Sequence, residues 1–157
     1  MDILLTDEEE LLQKSAREFL EAECPTDLVR AMETDNRGYP PELWSKVAEL
    51  GWLGLVLPRE YGGDGAPLSY LGLLLEEAGR AAAPLPLHCT LVPALTIAEA
   101  GTAAQRRDLL PRVARGDLIL TWALTERDPR SVPEAIHTEA TPDGEDFLLS
   151  GTKLFVE

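Results

Sequence analysis

The sequence predicts a mainly α-helical N-terminal domain followed by part of a small β domain. Two observations support this fold class. Apolar residues recur at helical spacing through the first two-thirds of the 157-residue chain, and the pattern changes to alternation after Gly116-Asp117. The expected domains are therefore residues 1–116, which are all helical, and residues 117–157, which form a partial β domain.

Local signals place the start of the chain in helices. Thr6 and Glu9 form a capping-box pattern, which satisfies two backbone N–H groups at a helix start. The apolar face that follows consists of Leu12, Ala16, Phe19 and Leu20. After Pro25-Thr26-Asp27 we expect a short second helix that ends near Glu33.

A third helix is expected to start at Pro40-Pro41-Glu42, because proline in the first helical turn loses no hydrogen bond. Its inner face consists of Leu43, Trp44, Val47 and Ala48, and Gly51 is expected to end it. Residues 60–65 carry three glycines in Gly62-Gly63-Asp64-Gly65, so this segment is predicted to be a loop.

Three more helices are expected before the strands. The first covers about residues 67–82 and is broken by Pro84-Leu85-Pro86. The second covers about residues 90–100 and stops at Gly101. A second capping box, Thr102 with Gln105, starts the last helix, which Pro111 is expected to kink or shorten.

Four short strands are expected after residue 116. Alternating side chains predict a strand at residues 118–125, and further strands are predicted at 136–140, 147–149 and 154–156. Pro142-Asp143-Gly144 has the composition of a turn. A four-stranded fragment with an open final edge is an incomplete sheet, so we expect the chain to stop inside its second domain.

Composition and charge narrow the classes of function. The net charge of −14 repels phosphate backbones and anionic lipids, so neither nucleic acid nor a membrane is an expected partner. Cys24 and Cys89 lie far apart and form no metal-binding or disulfide pattern, and His88 and His137 are isolated. Residues 1–10 resemble no signal peptide, so the expected location is cytoplasmic.

Five stretches, in this order and at this spacing, resemble the acyl-CoA dehydrogenase superfamily. They are Pro41-Glu42-Leu43-Trp44 through Gly51, Leu57 through Gly63, Gly101-Thr102 through Gly116, Ala123-Leu124-Thr125-Glu126, and Leu149-Ser150-Gly151-Thr152-Lys153. The resemblance implies a helical domain, a small barrel-like β domain and a C-terminal four-helix domain. That last domain is absent from this sequence, so the expected fold is acyl-CoA dehydrogenase-like and incomplete.

The resemblance also implies a reaction. Family members bind FAD and desaturate an acyl-CoA thioester: a carboxylate base removes the α proton while a hydride leaves Cβ for the flavin. In most members the base is a Glu in the C-terminal domain, so no residue here is assigned as catalytic. The clusters Glu8-Glu9-Glu10 and Glu76-Glu77 are interpreted as solvated helix faces.

The cofactor-binding residues that the resemblance implies are Trp122, Leu124, Thr125 and Phe155. Backbone groups of the Trp122–Glu126 segment are expected at the edge of the flavin ring. The Thr125 hydroxyl, which both donates and accepts, is expected near the flavin N5. The alternative that Trp122 and Phe155 are ordinary core aromatics stays open.

The segment after Glu126 departs from the family pattern. Members usually carry Pro-Gly-Ala-Gly-Ser-Asp there, whereas this chain has Arg127-Asp128-Pro129-Arg130-Ser131-Val132. Only Ser131 matches, and it is the implied substrate-binding residue. Arg127 and Arg130 either pair with phosphates or are surface arginines beside acidic neighbours. Glu157 stands where Thr or Ser is usual, and a carboxylate there disfavours negative charge on a reduced flavin.

Three hypotheses follow. The first is the N-terminal part of a flavin-dependent acyl-CoA dehydrogenase, incomplete by itself. The second, favoured by the altered loop, is a non-catalytic member that serves as a structural subunit of a heteromeric complex. The third is a related flavin enzyme, such as an acyl-CoA oxidase or a monooxygenase of the superfamily. The implied partners are acyl-CoA, an electron-transfer acceptor and related subunits in a homo- or hetero-oligomer, and exposed apolar surface is expected.

Overall fold

The chain is described by a computed structural model that defines residues 4–128, 130 and 132–156. Its internal contacts divide it into two compact units, Met1–Leu120 and Thr121–Glu157. The first unit is helical and the second contains a two-stranded sheet, so the predicted fold class is confirmed. The predicted domain boundary at residue 116 stays a prediction.

Six α-helices form the described part of the first unit: α1 Asp7–Glu23, α2 Thr26–Met32, α3 Pro41–Glu49, α4 Leu68–Arg80, α5 Leu87–Ala100 and α6 Ala103–Ala114. Both capping boxes are present. The Thr6 hydroxyl accepts from the Glu9 N–H at 3.3 Å, and the Thr102 hydroxyl accepts from the Gln105 N–H at 3.2 Å. Local sequence signals therefore position the two helix starts correctly.

Two helix boundaries differ from the expectation. Helix α5 begins at Leu87 rather than near Thr90, because its first-turn N–H groups need no partner inside the helix and it can start directly after Pro86. Helix α6 passes through Pro111 and ends at Ala114, so Pro111 does not shorten it.

The core of the first unit is apolar and is filled from several helices. The fully buried side chains include Val47, Leu53, Leu74, Leu91 and Leu110. The Trp44 Nε1 donates to the Gly116 carbonyl at 3.0 Å, which ties α3 to the residue that follows α6 by two positions. Gly116 lies in the left-handed region at φ +78, where a side chain is strained.

The glycine-rich loop follows a short 3₁₀ helix, Arg59–Tyr61. Gly62 has φ +86 and ends this helix in the left-handed conformation. A Cβ on Gly63 would lie 2.1 Å from the Leu57 carbonyl oxygen, so no larger residue fits without a backbone shift. Of the predicted loop, residues 60–65, the first two belong to the 3₁₀ helix, and only residues 62–65 are confirmed as loop. Gly65 also has a positive φ, +64, so all three glycines are required by conformation or by space.

The interpretation of Glu77 as a solvated residue is wrong. Its side chain is 1% exposed and accepts two hydrogen bonds from Arg17, from Nε at 3.0 Å and from Nη2 at 2.6 Å. The Arg17 guanidinium is the main reason that the pKa of Glu77 lies below its ordinary value, although burial opposes the shift. Glu76 is exposed, as expected.

The second unit contains an antiparallel hairpin, β1 Glu139–Asp143 and β2 Asp146–Ser150. Ala140 pairs with Leu149, Thr141 with Leu148, and Gly144 adopts φ +66 in the turn. The strand predicted at residues 147–149 is confirmed. The strand predicted at 136–140 lies further along the chain, because Pro142 and Asp143 belong to β1 and the turn falls at Gly144-Glu145.

The strands predicted at residues 118–125 and 154–156 are not assigned as strands in the described part of the chain. Alternating side chains indicate an extended segment, but a strand also needs a neighbour with which to form a ladder. The backbone hydrogen bond from the Leu154 N–H to the Thr125 carbonyl, at 2.8 Å, brings the two segments together. A single backbone hydrogen bond does not make a ladder, so these two segments do not form a sheet.

Candidate functional site

The segment Trp122–Thr125 presents apolar side chains to its surroundings. Trp122 and Leu124 are each 42% exposed, and Thr125 is half-buried. In an extended segment alternate side chains share a face, so Trp122 and Leu124 lie on one side and Thr125 on the other. Neither Trp122 nor Leu124 is a core residue of this unit, contrary to the alternative that Trp122 is an ordinary core aromatic.

Phe155 lies in the segment that meets Thr125 through the Leu154 hydrogen bond. It is 89% exposed and has φ +54, a conformation that is strained for an aromatic residue. The alternative of a core phenylalanine is therefore wrong for the described structure. The structure thus brings the segments of Thr125 and Phe155 together, and the flavin contacts that the resemblance implies for these residues stay a prediction.

Glu126 is the buried centre of a hydrogen-bond network that the sequence did not reveal. It is 7% exposed and accepts from the His137 N–H at 2.7 Å, the Thr138 N–H at 3.0 Å, the Thr138 hydroxyl at 2.6 Å and Lys153 Nζ at 2.8 Å. Lys153, the Thr138 hydroxyl and the backbone donors lower the pKa of Glu126 to about 2. The carboxylate is therefore held in its charged form.

The Glu126 network explains the Ser150-Gly151-Thr152 stretch of the sequence. A Cβ on Gly151 would lie 2.3 Å from the Thr138 hydroxyl oxygen and 2.9 Å from the Thr138 Cα. Because residue 151 is glycine, its backbone can lie close to Thr138 without displacing the Thr138 hydroxyl, which donates to Glu126. Glu126 and Lys153 both belong to the stretches that carry the resemblance, so the sequence pointed to both residues. Their pairing could not be inferred, because they are 27 residues apart.

Of the two arginines of the altered loop, Arg127 is exposed and Arg130 is bonded to a neighbouring carboxylate. Arg130 donates to Asp128 from Nε at 2.9 Å and from Nη2 at 2.5 Å. This pair holds the pKa of Asp128 below its ordinary value. Of the two alternatives for Arg130, the structure favours a surface arginine beside an acidic neighbour. Ser131, the implied substrate-binding residue, and Glu157 lie outside the described residues.

The donor set of the Trp122–Thr125 segment fits a flavin. A flavin ring has an apolar face and a polar edge, so it needs exposed apolar side chains beside hydrogen-bonding groups. Trp122 and Leu124 supply the first on one side of the segment, and the Thr125 hydroxyl supplies a hydrogen-bonding group on the other side. FAD is thus compatible with these residues.

The described residues form neither a metal site nor a membrane-spanning helix. No group of three or more His, Cys, Asp or Glu side chains is placed to hold a metal ion. No helix in the described ranges is long and apolar enough to cross a membrane.

In the first unit, an open cleft of about 340 Å³ lies at the connection between α4 and α5. Its lining includes Leu75, Ala78, Leu85, Leu87 and His88, and most of it is apolar.

Comparison with known proteins agrees with the fold. Residues 6–117 match the family model described as acyl-CoA dehydrogenase, N-terminal domain. The acyl-CoA dehydrogenase FadE12 of Mycobacterium tuberculosis is 41% identical over 118 residues, which cover 73% of this chain and 30% of that protein.

Two solved structures are similar over most of the chain. A variant of the Tcur3481-Tcur3483 steroid ACAD is 44% identical, covers 96% of this chain and 41% of its own, and has a TM-score of 0.85. A glutaryl-CoA dehydrogenase from Mycobacterium smegmatis in complex with FADH2 is 30% identical, covers 97% and 39%, and has a TM-score of 0.82. This chain thus spans between 30% and 41% of the length of these relatives. The chain belongs to the acyl-CoA dehydrogenase family.

Proposed function

We propose that this chain forms the N-terminal helical domain, residues 1–116, and the first part of the middle β domain, residues 117–157, of a flavin-dependent acyl-CoA dehydrogenase. The reaction is the introduction of an α,β double bond into an acyl-CoA thioester. The observation that carries the proposal is the Trp122–Thr125 segment, which presents exposed apolar side chains and a hydroxyl and resembles the family's flavin-contacting segment.

FAD is the proposed cofactor. When bound, it supplies the electron acceptor for the hydride that leaves the acyl chain. The residues that would hold it are Trp122 and Leu124, through their exposed apolar side chains, Thr125, through its hydroxyl, and Phe155, from the neighbouring segment. Ser131 is the proposed contact to the acyl-CoA substrate.

The catalytic base is proposed to lie outside this chain. A general base needs a pKa near the working pH and a free lone pair that faces the substrate. The two carboxylates that are buried among the described residues have neither property: Glu77 is paired with Arg17, Glu126 is paired with Lys153, and both pKa values are lowered. By itself the chain therefore binds and orients but does not complete the reaction.

The cleft between α4 and α5 is a candidate for the acyl chain. Its lining is apolar at Leu75, Leu85 and Leu87, and Ala78 and Gly79 keep the α4 side open. An apolar tail gains free energy in proportion to the apolar area that leaves water, about 25 cal/mol per Å². His88 is a polar group at the same cleft.

The test is the visible absorbance of the purified full-length gene product, before and after the addition of acyl-CoA substrates of several chain lengths. A yellow protein that bleaches supports the dehydrogenase. Trp122→Ala is expected to weaken FAD binding, whereas Leu68→Ala, an exposed apolar residue on α4, serves as the matched control. A yellow protein that no acyl-CoA bleaches points instead to another flavin enzyme of the superfamily.

The second candidate is a non-catalytic family member that serves as a structural subunit of a heteromeric complex. The observation that favours it is the loop after Glu126, where Arg130 is bonded to Asp128 and is not presented to a phosphate. A colourless protein that takes up no FAD, but co-purifies with a flavin-containing partner of the same family, supports this candidate. Related subunits and an electron-transfer acceptor are the proposed partners in either case, in the cytoplasm.

A further inference from the structure

Two extended segments of the second unit are connected at one place by Lys153. Its Nζ donates to the Glu126 carboxylate at 2.8 Å and lies 3.3 Å from the Leu124 carbonyl oxygen. The adjacent Leu154 N–H donates to the Thr125 carbonyl at 2.8 Å. Three consecutive residues, Leu124 to Glu126, are thus bound to two consecutive residues, Lys153 and Leu154.

Glu126 connects this junction to a third segment. The same carboxylate accepts from the backbone of His137 and from the backbone and hydroxyl of Thr138. A buried carboxylate with four donors is satisfied, whereas the loss of its charged donor leaves a charge in a buried place. Lys153 therefore supplies the charge that stabilises the carboxylate to which all three segments are bonded.

Little apolar packing is available to replace this network. In the second unit, among residues whose burial the structure describes, only Glu126 and Ala135 are buried. All ten residues of β1 and β2 are exposed, so the hairpin offers no apolar core for residues 122–125. The hydrogen bonds at Leu124, Thr125 and Glu126 are thus the specific contacts that hold that segment.

We propose that Lys153 and Glu126 are a positioning pair, which holds Trp122, Leu124 and Thr125 in the orientation that receives the flavin. The proposal rests on the proposed function. Neither residue is assigned a contact with the cofactor. Their effect is transmitted through the Leu124 and Thr125 carbonyls, which Lys153 and Leu154 bind directly.

The test compares Lys153→Met, which removes the charged donor, with Lys153→Arg, which keeps it. The matched control is Lys46→Met, which removes a lysine that pairs with Glu23 in the helical unit. The first measurement is hydrogen exchange of the Leu154 amide. Lys153→Met is expected to accelerate it by at least about tenfold, the effect of losing a hydrogen bond to a charged group, and Lys153→Arg is expected to restore most of the protection.

A second measurement uses Trp122. Trp44 and Trp52 are buried, so acrylamide quenches mainly Trp122, and Lys153→Met is expected to increase this quenching. The third measurement is FAD affinity of the full-length gene product, by titration of flavin fluorescence. Lys153→Met is expected to weaken the FAD affinity by about tenfold, the same factor by which it accelerates exchange of the Leu154 amide. Lys153→Arg and Lys46→Met are expected to leave the affinity near the wild-type value.

The outcomes separate the two proposals. Unchanged Leu154 exchange and Trp122 quenching in Lys153→Met overturn the positioning pair. Faster exchange with unaltered FAD affinity overturns it too, because the pair is then only structural. A wild-type product that binds no FAD contradicts the proposed function, and the pair is then judged on the Leu154 and Trp122 signals alone. If Lys153→Met loses the protected amides of the Thr141–Leu148 pair in the hairpin, Glu126→Gln repeats the test with the side-chain shape retained.

Discussion

Among the described residues, each unit buries one carboxylate, but the surroundings of the two differ. Glu77 lies against a helical core of leucines and is paired with Arg17, whose side chain is partly exposed. Glu126 is buried in a unit with little apolar core, and backbone groups supply two of its four donors. The helical unit is thus stabilised mainly by apolar burial, to which the ion pair is an addition. The second unit depends on its polar network for local order.

The largest expected effect is on the free energy of unfolding, when a buried apolar side chain of the helical unit is removed. Leu74→Ala removes a fully buried side chain from α4 and is expected to lower the free energy of unfolding by about 2–5 kcal/mol. Leu68→Ala on the same helix and Phe147→Ala in β2 remove exposed side chains and are expected to change it by less than about 0.5 kcal/mol. Chemical denaturation measures all three. A large loss for Phe147→Ala would contradict the comparison.

The next effect concerns the ion pair of the helical unit. Glu77→Gln keeps the size of the side chain but removes the charge that accepts two bonds from Arg17. A loss of about 1.5–3 kcal/mol in the free energy of unfolding is expected, the usual contribution of a hydrogen bond to a charged group. Glu76→Gln is the matched control, since Glu76 is exposed on the same helix. Equal effects of the two substitutions would refute the buried pair.

Acid is expected to act on both carboxylates in the same direction. The pKa of Glu126 in the folded chain, about 2, lies below its ordinary value of 4.5, so the charged carboxylate favours folding. This contribution is complete above pH 4.5 and is lost as the pH falls towards 2. The Thr138 amide chemical shift reports the titration. In Lys153→Met the midpoint is expected to rise, because the main cause of the low pKa is removed; an unchanged midpoint would show that the backbone donors suffice.

The smallest effect is a gain. Gly72 lies within α4, and a Cβ there meets no atom within 4 Å. Gly72→Ala is therefore expected to stabilise the helical unit by about 0.5–1 kcal/mol, because alanine loses less conformational freedom in a helix. A higher Tm by calorimetry checks it. The contrasting substitution, Gly63→Ala, is expected to destabilise, since the new Cβ would collide with the Leu57 backbone.

Helices were predictable from the sequence because their signals are local. Capping boxes at Thr6 and Thr102 place two helix starts from residues three positions apart. The burial of Glu77 was not predictable, since its partner Arg17 is 60 residues away and an acidic pair on a helix is usually solvated. Alternation predicted that residues 118–125 are extended, but it carries no information about which segment lies beside them.

The candidate site shows the same limit. The family pattern selected Trp122, Leu124, Thr125 and Phe155, of which Thr125 is half-buried and the other three are exposed. It did not reveal that Lys153 and Glu126 bind each other, because a motif gives residue types along the chain and not distances across it. The distances come only from the folded backbone.

The bond from Trp44 to Gly116 has a consequence for synthesis. Its two residues are 72 positions apart, and the second follows the last helix of its unit. During translation, α1 can pack against α4 once the chain up to Arg80 has left the ribosome. The Trp44 indole can form its hydrogen bond only after Gly116 has also left the ribosome. Nascent chains arrested before this residue should remain sensitive to protease around α3. Those arrested beyond it, with the tunnel cleared, should become resistant.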